Sequence, residues 1–309
     1  MMNIKKRLFL TLATIFVLAV LSGCSSVPQP STARPTPTVT PTPLPQPVPA
    51  LDGQRTLKVE KMERTYLVHI PAGLNDQQLV ALVFVFHGFQ ENGNFARTYS
   101  GLDSIASANG FVAVYPDGSG DAGSLSWNAG LCCGYAVQNK VDEPAFVRAI
   151  IADVQTMVKI DPRRVYAAGF SNGALLSYRL ACEMSDTFAA IAPVAGVLTY
   201  QPCEPRQAVS VLHAYGTKDQ VVPFDGGGSG LQFPSVRETL NKWKEVDGCD
   251  GDEKVEHNGI VTHTSYEGCK PGLAVELYAV DGIGHSWPSK YIVPLSQIIW
   301  DFFAAHPKP

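Results

Sequence analysis

Positive charge is scarce in this chain. Its 309 residues contain 24 Lys and Arg against 28 Asp and Glu, a formal charge of -4, which argues against nucleic acid as a partner. No internal repeat is visible. The apolar run from Leu8 to about Val20 is too short and wrongly flanked for an ordinary membrane span. His69, His213, His257, His263 and His306 lack ligand spacing with cysteines or carboxylates, so neither a metal site nor a cofactor is expected. Between Ser25 and Ala50 hydrophobic periodicity is missing, and proline, threonine and serine dominate. Such a composition cannot build a core.

What is present at the amino terminus points to export. Lys5, Lys6 and Arg7 precede the apolar run, as in a secretion signal covering residues 1–23. The run closes with Leu21-Ser22-Gly23-Cys24, which resembles the bacterial lipobox. Cys24 is therefore expected to become the first mature residue, its acyl chains anchoring the protein to a membrane and facing it toward the cell exterior or periplasm. The rival is an ordinary cleaved signal with a chance cysteine. Residues 24–50 are expected to form a stalk reaching up to roughly 80 Å. The leader has no acidic residue, so losing its three basic ones takes the charge from -4 to -7.

Residues 51–309 have the composition of a globular domain long enough for one large core. Leu79–Phe86 is an unbroken apolar run typical of a central parallel strand, and Arg164–Ala168, Val209–Tyr215 and Val275–Val280 read as further strands. Helical patterns alternate with them. Pro144 suits a first turn before Val147, Ile151, Val154 and Val158; Ser235-Val236-Arg237-Glu238 is a capping box ahead of Leu240 and Trp243. Pro294 opens a last helix with Leu295, Ile298, Ile299, Phe302 and Phe303 as its core stripe. The alternation predicts an α/β domain with a mostly parallel sheet flanked by helices.

The chemistry is written most clearly in Gly169-Phe170-Ser171-Asn172-Gly173-Ala174, a G-x-S-x-G between a strand pattern and a helix pattern. That context presents Ser171 as a nucleophile on a sharp turn. Such a serine needs an acid and then a histidine, each after a later strand. Asp219 follows Val209–Tyr215, and His285 follows Val275–Val280. Asp225, in a glycine-rich turn, and Asp281, close before His285, are the alternative acids. The oxyanion is expected to meet the amide of Asn172 and a second donor after Leu79–Phe86, with Phe89 preferred over Gln90. His87 is expected to hold that loop rather than transfer protons.

Besides Cys24, six cysteines remain, an even number in an exported domain, which favours disulfides. Neighbouring cysteines rarely bond each other, so Cys132 and Cys133 are expected to reach separate partners. Cys249 and Cys269 make the simplest remaining pair, worth on the order of 3 kcal/mol by the chain-entropy argument.

Together the elbow, Phe188–Gly196 (F-A-A-I-A-P-V-A-G), Trp127–Gly134 (W-N-A-G-L-C-C-G) and G-H-S-W-P around His285 resemble the extracellular poly(3-hydroxybutyrate) depolymerase and feruloyl esterase family over essentially Leu51–Pro309. The resemblance implies an α/β-hydrolase fold, ester hydrolysis, and a triad on Ser171, Asp219 and His285. It also implies that Cys132 and Cys133 pair with Cys182 and Cys203, leaving open which with which. The chain departs from the family at Val141-Asp142-Glu143, where two aspartates are common; Asp142 is expected to organise its loop. Only Ala195–Ala208 lies where many α/β-hydrolases insert a cap, so an open cleft without a large cap is expected.

Trp127 and Trp287 are expected either to flank the cleft as an aromatic platform or to pack in the core. The expected activity is that of an exported serine esterase of the feruloyl type, acting on esters from plant cell-wall polysaccharide or polyester, with no obligate protein partner. The alternatives are a poly(3-hydroxybutyrate) depolymerase, a serine peptidase of the same fold, and a lipoprotein that binds polymer without cleaving it. Enzymes that attack the solid polyester commonly carry a further binding module after the catalytic domain, whereas this sequence ends soon after its last core stripe. Soluble feruloyl esters are therefore favoured.

Overall fold

The computed structural model of the protein describes residues 44–308; the leader, Cys24 and the linker up to residue 43 lie outside them. The strands are β1 (Leu51–Val59), β2 (Met62–Ile70), β3 (Val80–Phe86), β4 (Val112–Pro116), β5 (Ile160–Phe170), β6 (Ala190–Val194), β7 (Ser210–Gly216), β8 (Glu253–Asn258), β9 (Val261–Tyr266) and β10 (Val275–Val280). The helices are α1 (Gly93–Ser100), α2 (Leu102–Asn109), α3 (Gly134–Gln138), α4 (Glu143–Gln155), α5 (Asn172–Glu183), α6 (Val236–Asp247) and α7 (Leu295–Ala305).

All ten strands join one sheet in the order β1-β2-β4-β3-β5-β6-β7-β10-β9-β8. From β4 to β10 the neighbours are parallel; β1 and β2 at one edge, and β9 and β8 at the other, are antiparallel. Side chains alternate between the two faces of each strand, and helices cover both faces. Leu82, Phe84 and Phe86 pack with Phe146 of α4, Leu176 of α5 and Trp243 of α6. Ala81, Val83 and Val85 pack on the opposite side with Ala106 of α2 and Phe303 of α7. The parallel strands point the same way, so the loops after β3, β4, β5, β7 and β10 gather along one sheet edge.

Local signals in the sequence reappear as geometry. Asp142 caps α4 by accepting the Ala145 amide at 2.9 Å, and Pro144 sits in its first turn. The buried apolar face of α4 runs through Phe146, Val147, Ile150 and Val154, with Ile151 only half-buried; Val158 is buried just beyond the helix. The capping box at Ser235 is formed, its hydroxyl accepting the Glu238 amide at 3.1 Å while Glu238 accepts the Ser235 amide at 2.7 Å.

Packing begins before Leu51, where the domain was expected to start. The Gln46 amide donates to Asp76 Oδ1 at 2.8 Å, the Val48 amide donates to the Leu74 carbonyl at 2.9 Å, and Val48 is buried. The end of the expected stalk is therefore bound to the domain.

Four of the six cysteines depart from expectation. Cys182 pairs with Cys203, their Cα atoms 5.0 Å apart, because the loop after β6 returns to the last turn of α5. Cys132 and Cys133 are consequently left to each other, not to Cys182 and Cys203. Cys249 pairs with Cys269 and closes the base of the β8–β9 hairpin. Every residue of β8 is exposed. It pairs with β9 through its backbone, a strand that burial pattern does not announce.

Candidate active site

β5 ends at Phe170 and α5 begins at Asn172, so Ser171 alone makes the turn, with φ 54° and ψ -118°. Side-chain-bearing residues rarely adopt this conformation. Here it is held by the Ser171 amide donating to the Val194 carbonyl at 2.9 Å and by the Leu175 amide donating to the Ser171 carbonyl at 3.0 Å. Both glycines of the motif are demanded by close approach. A Cβ on Gly169 would lie 2.3 Å from the Gly173 carbonyl oxygen, and one on Gly173 would lie 2.2 Å from that of Phe86.

The three residues anticipated from chain order meet at the sheet edge. His285 Nε2 is 2.8 Å from Ser171 Oγ, and its Nδ1 is 2.7 Å from Asp219 Oδ2. The other Asp219 oxygen accepts the amides of Val221 and Val222, each at 2.9 Å, so backbone donors fix the carboxylate plane. The Asp219 side chain is fully buried, and that of His285 is 15% exposed. The loops bearing Asp219 and His285 are joined where the Lys218 amide donates to the Ile283 carbonyl at 2.9 Å. Neither alternative acid stands here: Asp225 is exposed, and Asp281 accepts the Thr217 hydroxyl at 2.8 Å.

The loop after β3 is tied down at every residue but one. Buried His87 accepts the Gly118 amide on Nε2 at 2.8 Å, so its Nδ1 carries the proton and donates to the Gly88 carbonyl at 2.7 Å. Burial pushes this imidazole down to about 4 and keeps it neutral. The Gly88 amide donates to Glu91 Oε2 and the Gln90 amide to the Leu125 carbonyl, both at 2.9 Å. Gln90 is thereby unavailable as an oxyanion donor. Among the described residues, the amides of Phe89 and Asn172 have no protein acceptor. The sequence reading missed Glu91. Its carboxyl is half-buried and raised above the usual carboxylate range by burial, against the Gly88 amide and the nearby His285, which lower it.

The Asn172 side chain is buried, accepting the Trp127 amide at 2.7 Å and donating to the Trp127 and Cys132 carbonyls at 3.2 Å. It clamps the W-N-A-G-L-C-C-G segment to the elbow. Glu143 supports the same segment, accepting the Asn128 amide at 3.0 Å and the Arg64 guanidinium at 3.1 Å. Burial raises the Glu143 carboxyl, opposed by Arg64.

Above Ser171 lies a cavity of about 320 Å³, lined by Phe89, the Cys132–Cys133 pair, Leu175, Val222, Leu231 and Phe233. Neither candidate platform tryptophan lines it. Trp127 has no exposed surface and donates its indole N–H to the His87 carbonyl at 2.9 Å. Trp287 is 8% exposed and packs on Tyr99, which meets Phe170 and, through it, the His285 ring. Both tryptophans support the site from within the core, because the loops after β3, β4 and β10 fold over them. Potential metal ligands meet at Asp52, His69 and Asp103, within 4.8 Å of one another. The Arg97 guanidinium already pairs with both carboxylates, at 2.6 and 2.5 Å, supplying the positive charge that this group would otherwise attract.

A family model described as esterase PHB depolymerase matches residues 64–240, which run from within β2 to within α6 and include the elbow and Asp219. The chain belongs to this family. Among curated family relatives, Feruloyl esterase B of Piromyces equi is 29% identical over 72% of this chain, which spans 42% of that enzyme's length. The putative esterase NocK of Nocardia uniformis subsp. tsuyamanensis is 30% identical, with 93% of this chain and 91% of that protein aligned. Among solved structures, the acetyl xylan esterase from Aspergillus awamori superposes with a TM-score of 0.60 at 15% identity, covering 82% of this chain and 99% of that one. It shares the α/β esterase fold.

Proposed function

We propose that the protein is an exported serine carboxylic-ester hydrolase of the feruloyl esterase type. The observation that carries this reading is His285, placed by its two ring nitrogens between Ser171 Oγ and a carboxylate with no other histidine to serve. His285 takes the Ser171 proton as the oxygen attacks the ester carbonyl, and Asp219 holds the tautomer and stabilises the imidazolium. The amides of Asn172 and Phe89 receive the oxyanion. His285 then protonates the departing alcohol. Water, deprotonated by the same imidazole, releases the acid from the acyl-enzyme.

The apolar lining and size of the cavity above Ser171 favour a bulky acyl group such as hydroxycinnamoyl over acetyl. Feruloyl and acetylxylan esterases among the relatives favour an ester borne on plant polysaccharide. The leader and Cys24 fit a lipid-anchored enzyme outside the cytoplasm; Cys24→Ser would then release the protein from membranes without loss of catalysis. The activity is tested by labelling Ser171 with an organophosphonate and by comparing methyl ferulate, a feruloylated oligosaccharide and amorphous poly(3-hydroxybutyrate). Labelling with faster release of ferulate supports the reading. Polymer clearing without ferulate release would replace the substrate and keep the chemistry, and folded protein that neither labels nor hydrolyses would point to a binding lipoprotein.

A further inference from the structure

A second and larger cavity, about 680 Å³, opens on the same sheet edge between the start of β2, the amino end of α1 and the loop after β4. β4 and β5 are parallel and separated by β3 alone, so the loop after β4 leaves the edge roughly 10 Å from the turn that bears Ser171. Two chain segments run from one cavity to the other. Phe89 lines the cavity above Ser171 and Asn92 lines the second, while Cys133 lines the first and Tyr135 the second. The ridge between them is aromatic. The Phe89 ring lies against Gly134, and Phe89 and Tyr135 are 41% and 43% exposed.

The two cavities differ in chemistry. Leu175, Val222, Leu231 and Phe233 make the first apolar, whereas the second is mixed, with Glu63, Asn92, Asn94, Asp117 and Asp121 beside Met62, Leu67, Leu125 and Tyr135. Arg64 is the one cation of the second lining, and its charge is already matched by buried Glu143. Anions are therefore disfavoured there, and an apolar chain would strand the carboxylates and amides. A neutral polyhydroxylated ligand satisfies both, its hydroxyls bonding to planar polar groups and its C–H face resting on the tyrosine ring.

We propose that this second cavity is the alcohol-side subsite, receiving the saccharide that bears the ester while the apolar cavity receives the acyl group. The inference rests on the serine-esterase reading. It makes the Phe89–Tyr135 ridge the path along which the substrate crosses Ser171.

The test compares KM for methyl ferulate, which has no saccharide, with KM for a feruloylated oligosaccharide, in the wild type, Tyr135→Ala and Asp121→Ala. Asp121 lies in an exposed turn, so its variant retains the fold if the aromatic replacement does not. The wild type is expected to favour the oligosaccharide, and each variant to lose about tenfold of that preference in KM. The unesterified oligosaccharide is expected to inhibit the wild type competitively and the variants more weakly. Equal KM values for both esters in the wild type, or an unaltered preference in both variants, would overturn the subsite while leaving the esterase in place. A wild type that hydrolyses neither ester would overturn the esterase reading, and this inference with it.

Discussion

Glu91 reaches back across its own turn to accept the amide of Gly88 at 2.9 Å, and the residue enclosed between them and Gln90 is Phe89. The carboxylate thus fixes the peptide that leads into the proposed oxyanion donor. Glu91→Ala should lower kcat about ten- to hundredfold with little change in KM, because the donor is needed more in the transition state than in the ground state. Glu91→Gln keeps an acceptor for the Gly88 amide and should restore most of the rate. Steady-state kinetics on an activated ester checks both. Equal activity in all three proteins would remove Glu91 from the mechanism.

Alanine at Ser171, His285 or Asp219 should cost at least about a thousandfold in turnover with the fold retained. The losses should not add, since the three act as one unit. A double variant lacking Ser171 and His285 should match the Ser171 variant. Folded Asp219→Ala with near-normal turnover would contradict the assignment of the acid.

Asp247 in α6 is buried, with one oxygen accepting the Val209 amide at 3.2 Å and the other unpartnered. Burial raises its carboxyl to about 7 from the ordinary 3.8. Between these values the folded protein holds a proton that the unfolded chain has released, so this residue makes stability fall as pH rises through the window and leaves the cost in place above it. Buried His87 and His213, lowered to about 4 and about 3, act in the opposite sense as pH drops below 6.5. The difference between wild type and Asp247→Asn isolates the carboxyl. The variant's relative stability should increase from pH 4 to pH 7 and then level off, by up to about 4 kcal/mol. Urea unfolding at four or five pH values checks this, and a flat difference would place the Asp247 carboxyl near its ordinary value.

Joint replacement of Cys182 and Cys203 by alanine opens a bridge spanning 21 residues and should cost about 3 kcal/mol in denaturant unfolding. Peptide mapping of the non-reduced protein should yield Cys182 joined to Cys203. A fragment joining either of them to Cys132 or Cys133 would restore the pairing implied by family resemblance.

Much of this was legible along the chain, for reasons that can be named. Short-range signals were readable because their physics is local: the glycines of the elbow, the cap at Asp142, the capping box at Ser235 and the apolar run of β3 depend on residues within a few positions. That Ser171, Asp219 and His285 meet was readable because each follows a strand whose direction the α/β plan sets. β8 was not, since its residues are all exposed and its existence depends on pairing with β9. Glu91 was silent because a glutamate in a polar turn looks like any other until its carboxylate is found against the Gly88 amide.

The sequence by itself determined the alternation of strands and helices, the sharp turn at Ser171, the proposed nucleophile, and the residues available to serve it, because these follow from backbone sterics and hydrophobic period. The tertiary structure alone decided which aspartate faces His285, that Cys182 goes to Cys203, that both tryptophans turn inward, and that an apolar cavity and one bearing carboxylates and amides lie side by side along one edge. Each is a distance between segments far apart in the chain, set by how loops fold over a shared core.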